Sequence, residues 1–273
     1  MITLAARPTA APKAAGQWGE FQSGSVQRAL HQALADDHYL SQVKVVEILR
    51  STLSNGILST SELDDLQMVA DNSRSIMPRS KTMLDLFVKK AKKNIEKIGP
   101  YKLPTSGHIY AANLACDFLR RIGRGHWPNL DRDEVGVGML MRIAYPSLVD
   151  QGGGNLCGPA AMLYNLLRDR PGGYARYAID LYERGEAKMV DLSIKPGDGV
   201  RFHSPPSEKV DPIDWLTAAS LRDSENWFYD YDMANNDWEG ATTPMELAYW
   251  FHRAGYSDIK EDANFVWLLD LHL

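Results

Sequence analysis

The chain has 273 residues, 44% of them hydrophobic and 24% charged, the usage of an ordinary globular protein with room for one large or two modest domains. Its 30 basic and 35 acidic residues leave a net charge of −5, which provides no global field for holding a polyanion and argues against sequence-independent nucleic-acid binding. No run approaches the about 18 consecutive apolar residues of a bilayer span, and two cysteines, Cys116 and Cys157, make neither a disulfide framework nor a four-cysteine zinc site.

Residues 1–24 are rich in Ala, Pro, Gly and Gln, and no acid precedes Glu20. Arg7 and Lys13 flank no apolar run long enough for a secretory core, so this segment reads as a disordered, uncleaved leader. From 25 to 105 the pattern is helical. Val26, Leu30, Ala33 and Leu34 recur at three-to-four spacing, as do Val43, Val46, Leu49 and Leu53. Asn55-Gly56 stops one helix, and Ser59 with Glu62 forms a capping box that starts the next, carrying Leu63, Leu66 and Val69.

Gly56, Leu58 and Glu62 stand at the separation of the sixth, eighth and twelfth positions of a calcium loop. The first, third and fifth positions would then be Ser51, Leu53 and Asn55, which supply no carboxylate, so the segment reads as a capped helical hairpin. Lys89, Lys90, Lys92, Lys93 and Lys97 spread around a helix whose apolar positions are Leu84, Leu86, Phe87, Val88 and Ile95. With no aromatic residues interleaved to stack bases, they read as a solvated face. Gly99-Pro100, Pro104 and Gly107 mark a domain boundary.

Beyond the boundary, a helix around 109–122 holds Cys116 among Ala111, Ala112, Leu114, Ala115, Phe118 and Leu119, so this cysteine reads as core. The loop 123–128 presents His126 or is a turn held by a packed Trp127, the more ordinary of the two. The most informative segment runs Gln151-Gly152-Gly153-Gly154-Asn155-Leu156-Cys157-Gly158-Pro159-Ala160-Ala161-Met162. Three glycines allow a sharp turn, and Pro159 with two alanines begins a helix, which puts Cys157 at a helix N-terminus. Unsatisfied amides and the positive dipole end favour a thiolate there. Gly-Gly-Gly before a helix also resembles a phosphate loop, but Pro159-Ala160 stands where a Walker loop needs Lys with Ser or Thr.

Gln151 precedes Cys157 by six residues across this turn, and the segment resembles the papain-like cysteine peptidases. The resemblance covers about a dozen residues. It implies that Gln151 and the Cys157 amide form an oxyanion hole and that Cys157 is the nucleophile. Gly158-Pro159-Ala160-Ala161 departs from the plant and lysosomal enzymes and is more similar to bacterial relatives and secreted effectors.

Such an enzyme needs a histidine base held by a carboxylate or amide, and the resemblance places it downstream, on a strand. His252 lies in a helix closed by Gly255 and is discounted as exposed or capping. His203 follows the strand-like Gly199-Val200-Arg201-Phe202. His272 ends an apolar run from Asn264, with Asp270 on the same face by period two, and is the preferred base. The family's histidine lies roughly 130 to 150 residues past its cysteine, farther than this sequence extends, so a shortened hydrolase lacking its base is the expectation that competes with His272. An acidic, aromatic stretch from Asp223 to Glu239 reads as a loop packed back on the fold, which would favour cationic groups on a substrate if it borders the cleft.

The expected architecture is α+β and helix-rich: a leader at 1–24, a helical region at 25–105 and a papain-like hydrolase domain at 106–273. In that domain a central helix would pack on a small antiparallel sheet, left incomplete by strands readable only near 189–194, 199–203 and 264–272. The resemblance implies thiol-dependent attack on an amide or related acyl bond in a protein or peptide-like substrate, with no metal or cofactor. It also implies a bacterial effector or toxin, made in the cytoplasm and exported into a host or rival cell. The alternatives are a non-catalytic helical interaction protein with Cys157 structural, or a truncated, inactive hydrolase.

Overall fold

A computed structural model describes residues 18–36, 39–72, 75–150, 156–205, 210–225, 242–257 and 259. They divide into two compact units, 1–101 and 102–273.

The first unit is helical. Ser23 caps α1 (Gly24–Ala33), and the buried carboxylate of Asp65 fixes the approach to it by accepting from the amides of Gln22 and Ser23 at 3.0 and 2.7 Å. Helix α2 (Gln42–Leu53) buries Val45, Val46, Ile48, Leu49 and Leu53 and leaves Val43 exposed, one step outside the expected stripe. Gly56 turns the chain at φ 78°, the left-handed region that favours glycine, and the Asn55 side chain accepts from the Ile57 amide at 3.0 Å. Strand β1 (Ile57–Leu58) follows, then α3 (Thr60–Asp71), opened by the capping box of Ser59 and Glu62. Glu62 accepts from the Ser59 amide at 3.0 Å and from the hydroxyl of Ser25 at 2.5 Å. The residue at the twelfth loop position is therefore spent on capping, as a helical hairpin requires.

Helix α4 (Pro78–Lys97) packs on α3 and α2 through Met83, Leu84, Phe87 and Val88, while Lys89, Lys93 and Lys97 face outward and Lys92 pairs with Asp64 at 2.6 Å. Strand β2 (Tyr101–Lys102) pairs with β1, and Tyr101 is buried edge-on against Phe87.

In the second unit α5 (Ser106–Arg120) packs against α6 (Arg132–Ala144) and α8 (Pro171–Arg184). Close packing explains two glycines within α6: a Cβ at Gly136 would lie 2.5 Å from Leu119, and one at Gly138 would lie 2.8 Å from Ile213. The 123–128 loop is the expected turn. Trp127 is fully buried, its indole N–H donates to the Leu181 carbonyl at 2.8 Å, and His126 is exposed. Arg132 lies over the rings of Phe118 and Tyr182 and meets Glu183 at 2.6 and 3.1 Å, tying the start of α6 to the end of α8. Burial raises the Glu183 carboxyl, but hydrogen bonds from Arg132 and Arg121 outweigh that and hold it below its ordinary range.

Helix α7 (Cys157–Asp169) packs on α8 and on α12 (Pro244–Arg253). Strands β3 (Ala187–Met189) and β4 (Leu192–Ile194) form an antiparallel hairpin against α8, near the strand expected at 189–194. The strand expected at 199–203 is instead a short helix, α9 (Asp198–Arg201), with Val200 buried and Phe202 half exposed. A continuous helix from 212 to 225 follows as α10 (Pro212–Asp214), a π-helical turn at Trp215–Ala219, and α11 (Ser220–Glu225), on which β4 packs. Thus a helix-rich α+β arrangement with small two-stranded sheets is the observed fold class. The expected strand at 264–272 lies outside the described residues.

Candidate active site

Cys157 is the first residue of α7, and it is exposed, whereas Cys116 is buried at 1% exposure among the apolar residues of α5. Among the described residues no side chain caps α7. Pro159 carries no N–H, and the Ala160 amide makes the first helical bond, to the Leu156 carbonyl at 2.8 Å. The amides of Cys157 and Gly158 are therefore the first-turn donors outside the helical ladder, and they stand at the sulfur-bearing residue itself.

One side of this helix start is built by the far end of the unit. A Cβ on Gly158 would meet Thr242 at 2.3 Å, so only a glycine lets Thr242 sit there. The Thr242 hydroxyl accepts from the guanidinium of Arg222 at 3.2 Å, and Arg222 is buried at 3% exposure. The next residue, Thr243, caps α12 through a second capping box, with Glu246. The N-terminal end of α12 is thereby brought beside that of α7.

The chain is also held at Asp150, just ahead of the glycine-rich segment in sequence. Arg142 on α6 and Asp214 on α10 form a two-point ion pair, at 3.1 and 2.5 Å, with exposures of 5% and 0%. Asp211 lies 3.4 Å from the same guanidinium, and Asp214 also accepts the Asp150 amide at 3.4 Å. Burial alone would draw the Arg142 charge down, but Asp214 and Asp211 reverse this and hold it well above its usual range. Burial raises the Asp214 carboxyl, with Arg142 opposing. The paired short bonds are those of an ionised carboxylate.

Of the three residues nominated from the sequence, Cys157 alone is among the described residues; Gln151 and His272 lie outside them, as does most of the acidic stretch from Asp223 to Glu239. Of that stretch, Asp223 accepts the Gly197 amide at 2.6 Å, anchoring the chain after β4, and Glu225 is buried. His203, the alternative base, is exposed beyond α9, and its Nδ1 donates to the Gly199 carbonyl. His252 is exposed near the end of α12, in the helix that Gly255 closes at φ 83°. Among the described residues no histidine is hydrogen-bonded to Cys157, and no group of three or more His, Cys, Asp or Glu gathers as a metal site. Sequence reasoning missed Arg142, Asp214 and Arg222, whose partners are remote along the chain. No family model, curated protein or solved structure matches the chain.

Proposed function

We propose that this chain is a thiol-dependent hydrolase acting on an amide or related acyl bond. The Cys157 sulfur attacks the carbonyl carbon, and the amide of Cys157 with the side chain of Gln151 takes the charge on the oxygen. A histidine, His272 in this reading, carries the thiol proton to the leaving amine, and water then releases the acyl group from sulfur. The observation that supports the reading is the placement of Cys157: exposed, at the first position of a 13-residue helix, beside amides that no side chain among the described residues caps. Reactive cysteines occupy such positions, and buried structural ones do not. The substrate is a protein or peptide-like acyl compound, and export from a bacterium into a host or rival cell belongs to the same proposal.

A second reading, a non-catalytic helical protein, draws on one observation: the thiol has no histidine partner among the described residues. Alkylation by iodoacetamide near neutral pH, read by peptide mass, separates the two when combined with amide or ester turnover. The hydrolase reading expects Cys157 to label at least about tenfold faster than Cys116, and turnover to vanish in Cys157→Ser with little change in melting temperature. Equal, slow labelling of both cysteines, or full turnover in Cys157→Ser, would refute it.

A further inference from the structure

Helices α7 and α12 run side by side in the same direction. Gly158 meets Thr242 at their starts, and at their ends Arg170, which follows α7, donates to the carbonyls of Ala254 and Gly255 at 2.9 and 2.6 Å. Between those ends lies a cleft of about 370 Å³, whose lining includes Asn165, Asp169, Arg170, Phe251, Tyr256 and Ser257. That volume suits a small molecule. Asp169 closes the helix that Cys157 opens, about 18 Å away at about 1.5 Å per residue, so the cleft and the thiol stand at opposite ends of α7.

The chemistry of the lining is one-sided. Arg170 is already engaged: besides its two carbonyls, its guanidinium lies 4.5 Å from the centre of the Tyr256 ring. Asp169 is exposed, and among the described residues its carboxylate makes no ion pair or hydrogen bond. Its charge still reaches Tyr256, whose hydroxyl is raised above its ordinary value first by burial and then by Asp169, with Arg170 opposing. Asn165 stands one turn before Asp169 on the same face of α7. Its side-chain amide donates to the Ala161 carbonyl at 2.8 Å, which leaves its side-chain oxygen as an acceptor. The helix end adds to these acceptors: the Arg170 amide returns to the Leu166 carbonyl, Pro171 has no N–H to offer Leu167, and the Gly173 amide turns to the Arg170 carbonyl. Facing them are the rings of Phe251 and Tyr256, packed edge to face with centres 5.0 Å apart. An unpaired carboxylate, further acceptors and an aromatic wall together fit a ligand that brings N–H donors, a positive charge and an apolar body.

We propose that the cleft between the ends of α7 and α12 binds a small organic ammonium ion, with the charged head on Asp169 and the apolar body against Phe251. A metal ion fits less well, because among the described residues no group of three or more His, Cys, Asp or Glu gathers to hold one. An anion would meet Asp169 with Arg170 already spent on α12. The site does not depend on the reading of Cys157 as a nucleophile.

The test uses the full chain and three probes of one shape: phenethylammonium, neutral 2-phenylethanol and anionic phenylacetate, each titrated by ligand-observed NMR with the melting temperature recorded. Phenethylammonium is expected to bind with a Kd of about 1 mM or tighter, within reach of a ligand with so few atoms. The other two should bind about fivefold more weakly, the upper reach of an ion pair that keeps contact with water. Asp169→Asn is expected to erase this preference, weakening phenethylammonium about fivefold and leaving 2-phenylethanol within about twofold, at an unchanged melting temperature. Phe251→Ala should weaken both; should it fail to fold, Asp169→Asn carries the test. Asp198→Asn, which removes an exposed carboxylate on α9, controls for the net charge of −5 and should change neither affinity. No saturation by phenethylammonium, an affinity equal to that of 2-phenylethanol, a change within about twofold in Asp169→Asn, or an equal loss in Asp198→Asn would each overturn the proposal.

Discussion

Cys157 and Cys116 differ by environment rather than by chemistry, and the difference was legible in the letters around them. Cys116 sits in a run of Ala, Leu and Phe at helical spacing, and it is buried in α5. Cys157 follows three glycines and opens a helix. Its neighbour was less legible, because the contact of Gly158 with Thr242 joins residues more than eighty positions apart. That contact gives a prediction. Gly158→Ala forces a methyl into space held by the Thr242 side chain, and overpacking of this kind costs about 1–3 kcal/mol. Cys157→Ser changes no volume of consequence at an exposed site and should cost well under about 1 kcal/mol. Thermal melts of the two variants, side by side, check the ordering; a Gly158→Ala protein as stable as Cys157→Ser would mean that Thr242 does not pack there.

Among the elements, α3 and its capping box were readable because a cap is a local signal: Ser59 and Glu62 are three residues apart and satisfy each other. Helix α6 was not. Its Val135-Gly136-Val137-Gly138-Met139 core is buried almost all round, which erases the one-sided apolar period, and its two glycines depress helix propensity. They are explained only by Leu119 on one side and Ile213 on the other. Residues 199–203 failed for a related reason: one buried Val200 and a Phe202 left half exposed cannot distinguish a strand from a single helical turn in so short a run. The pair of Arg142 and Asp214 joins α6 to α10, and removing one partner of a buried pair typically costs about 3–5 kcal/mol. Arg142→Met strands Asp214 and Asp211 together, so it should destabilise more than Asp214→Asn, which leaves Asp211 to face the arginine. Chemical denaturation of the two variants tests this order, and equal losses would show that Asp211 contributes nothing.

At the scale of the whole molecule, acid stability depends on groups whose folded and unfolded states bind protons differently. His108, at 4% exposure near the start of α5, is the buried histidine among those described; His31, His126, His203 and His252 are exposed. Burial pushes its imidazole below the ordinary value of 6.5. The Thr105 hydroxyl, 2.8 Å from Nδ1, also accepts the His108 amide at 3.3 Å, an arrangement that fits a neutral ring with Nδ1 as acceptor. As pH falls through 6.5 the unfolded chain takes up this proton first, so the contribution of the neutral ring is complete above 6.5 and is lost progressively below it. Glu183 acts lower on the scale. Its folded carboxyl lies below the ordinary value of 4.5, so its contribution is complete above 4.5 and disappears as pH falls through the folded value. His108 and Glu183 therefore each contribute one stage of acid loss in the second unit, each no steeper than about 1.4 kcal/mol per pH unit for a single proton, while the carboxyls of Asp214 and Glu225, raised by burial, run the other way. His108→Asn, whose carbonyl can still accept from Thr105, should flatten the first stage and leave the second, and Glu183→Gln should do the reverse. Urea denaturation across the acid range measures both, and a first stage unchanged in His108→Asn would mean that the histidine is already protonated, or not buried, in the folded protein.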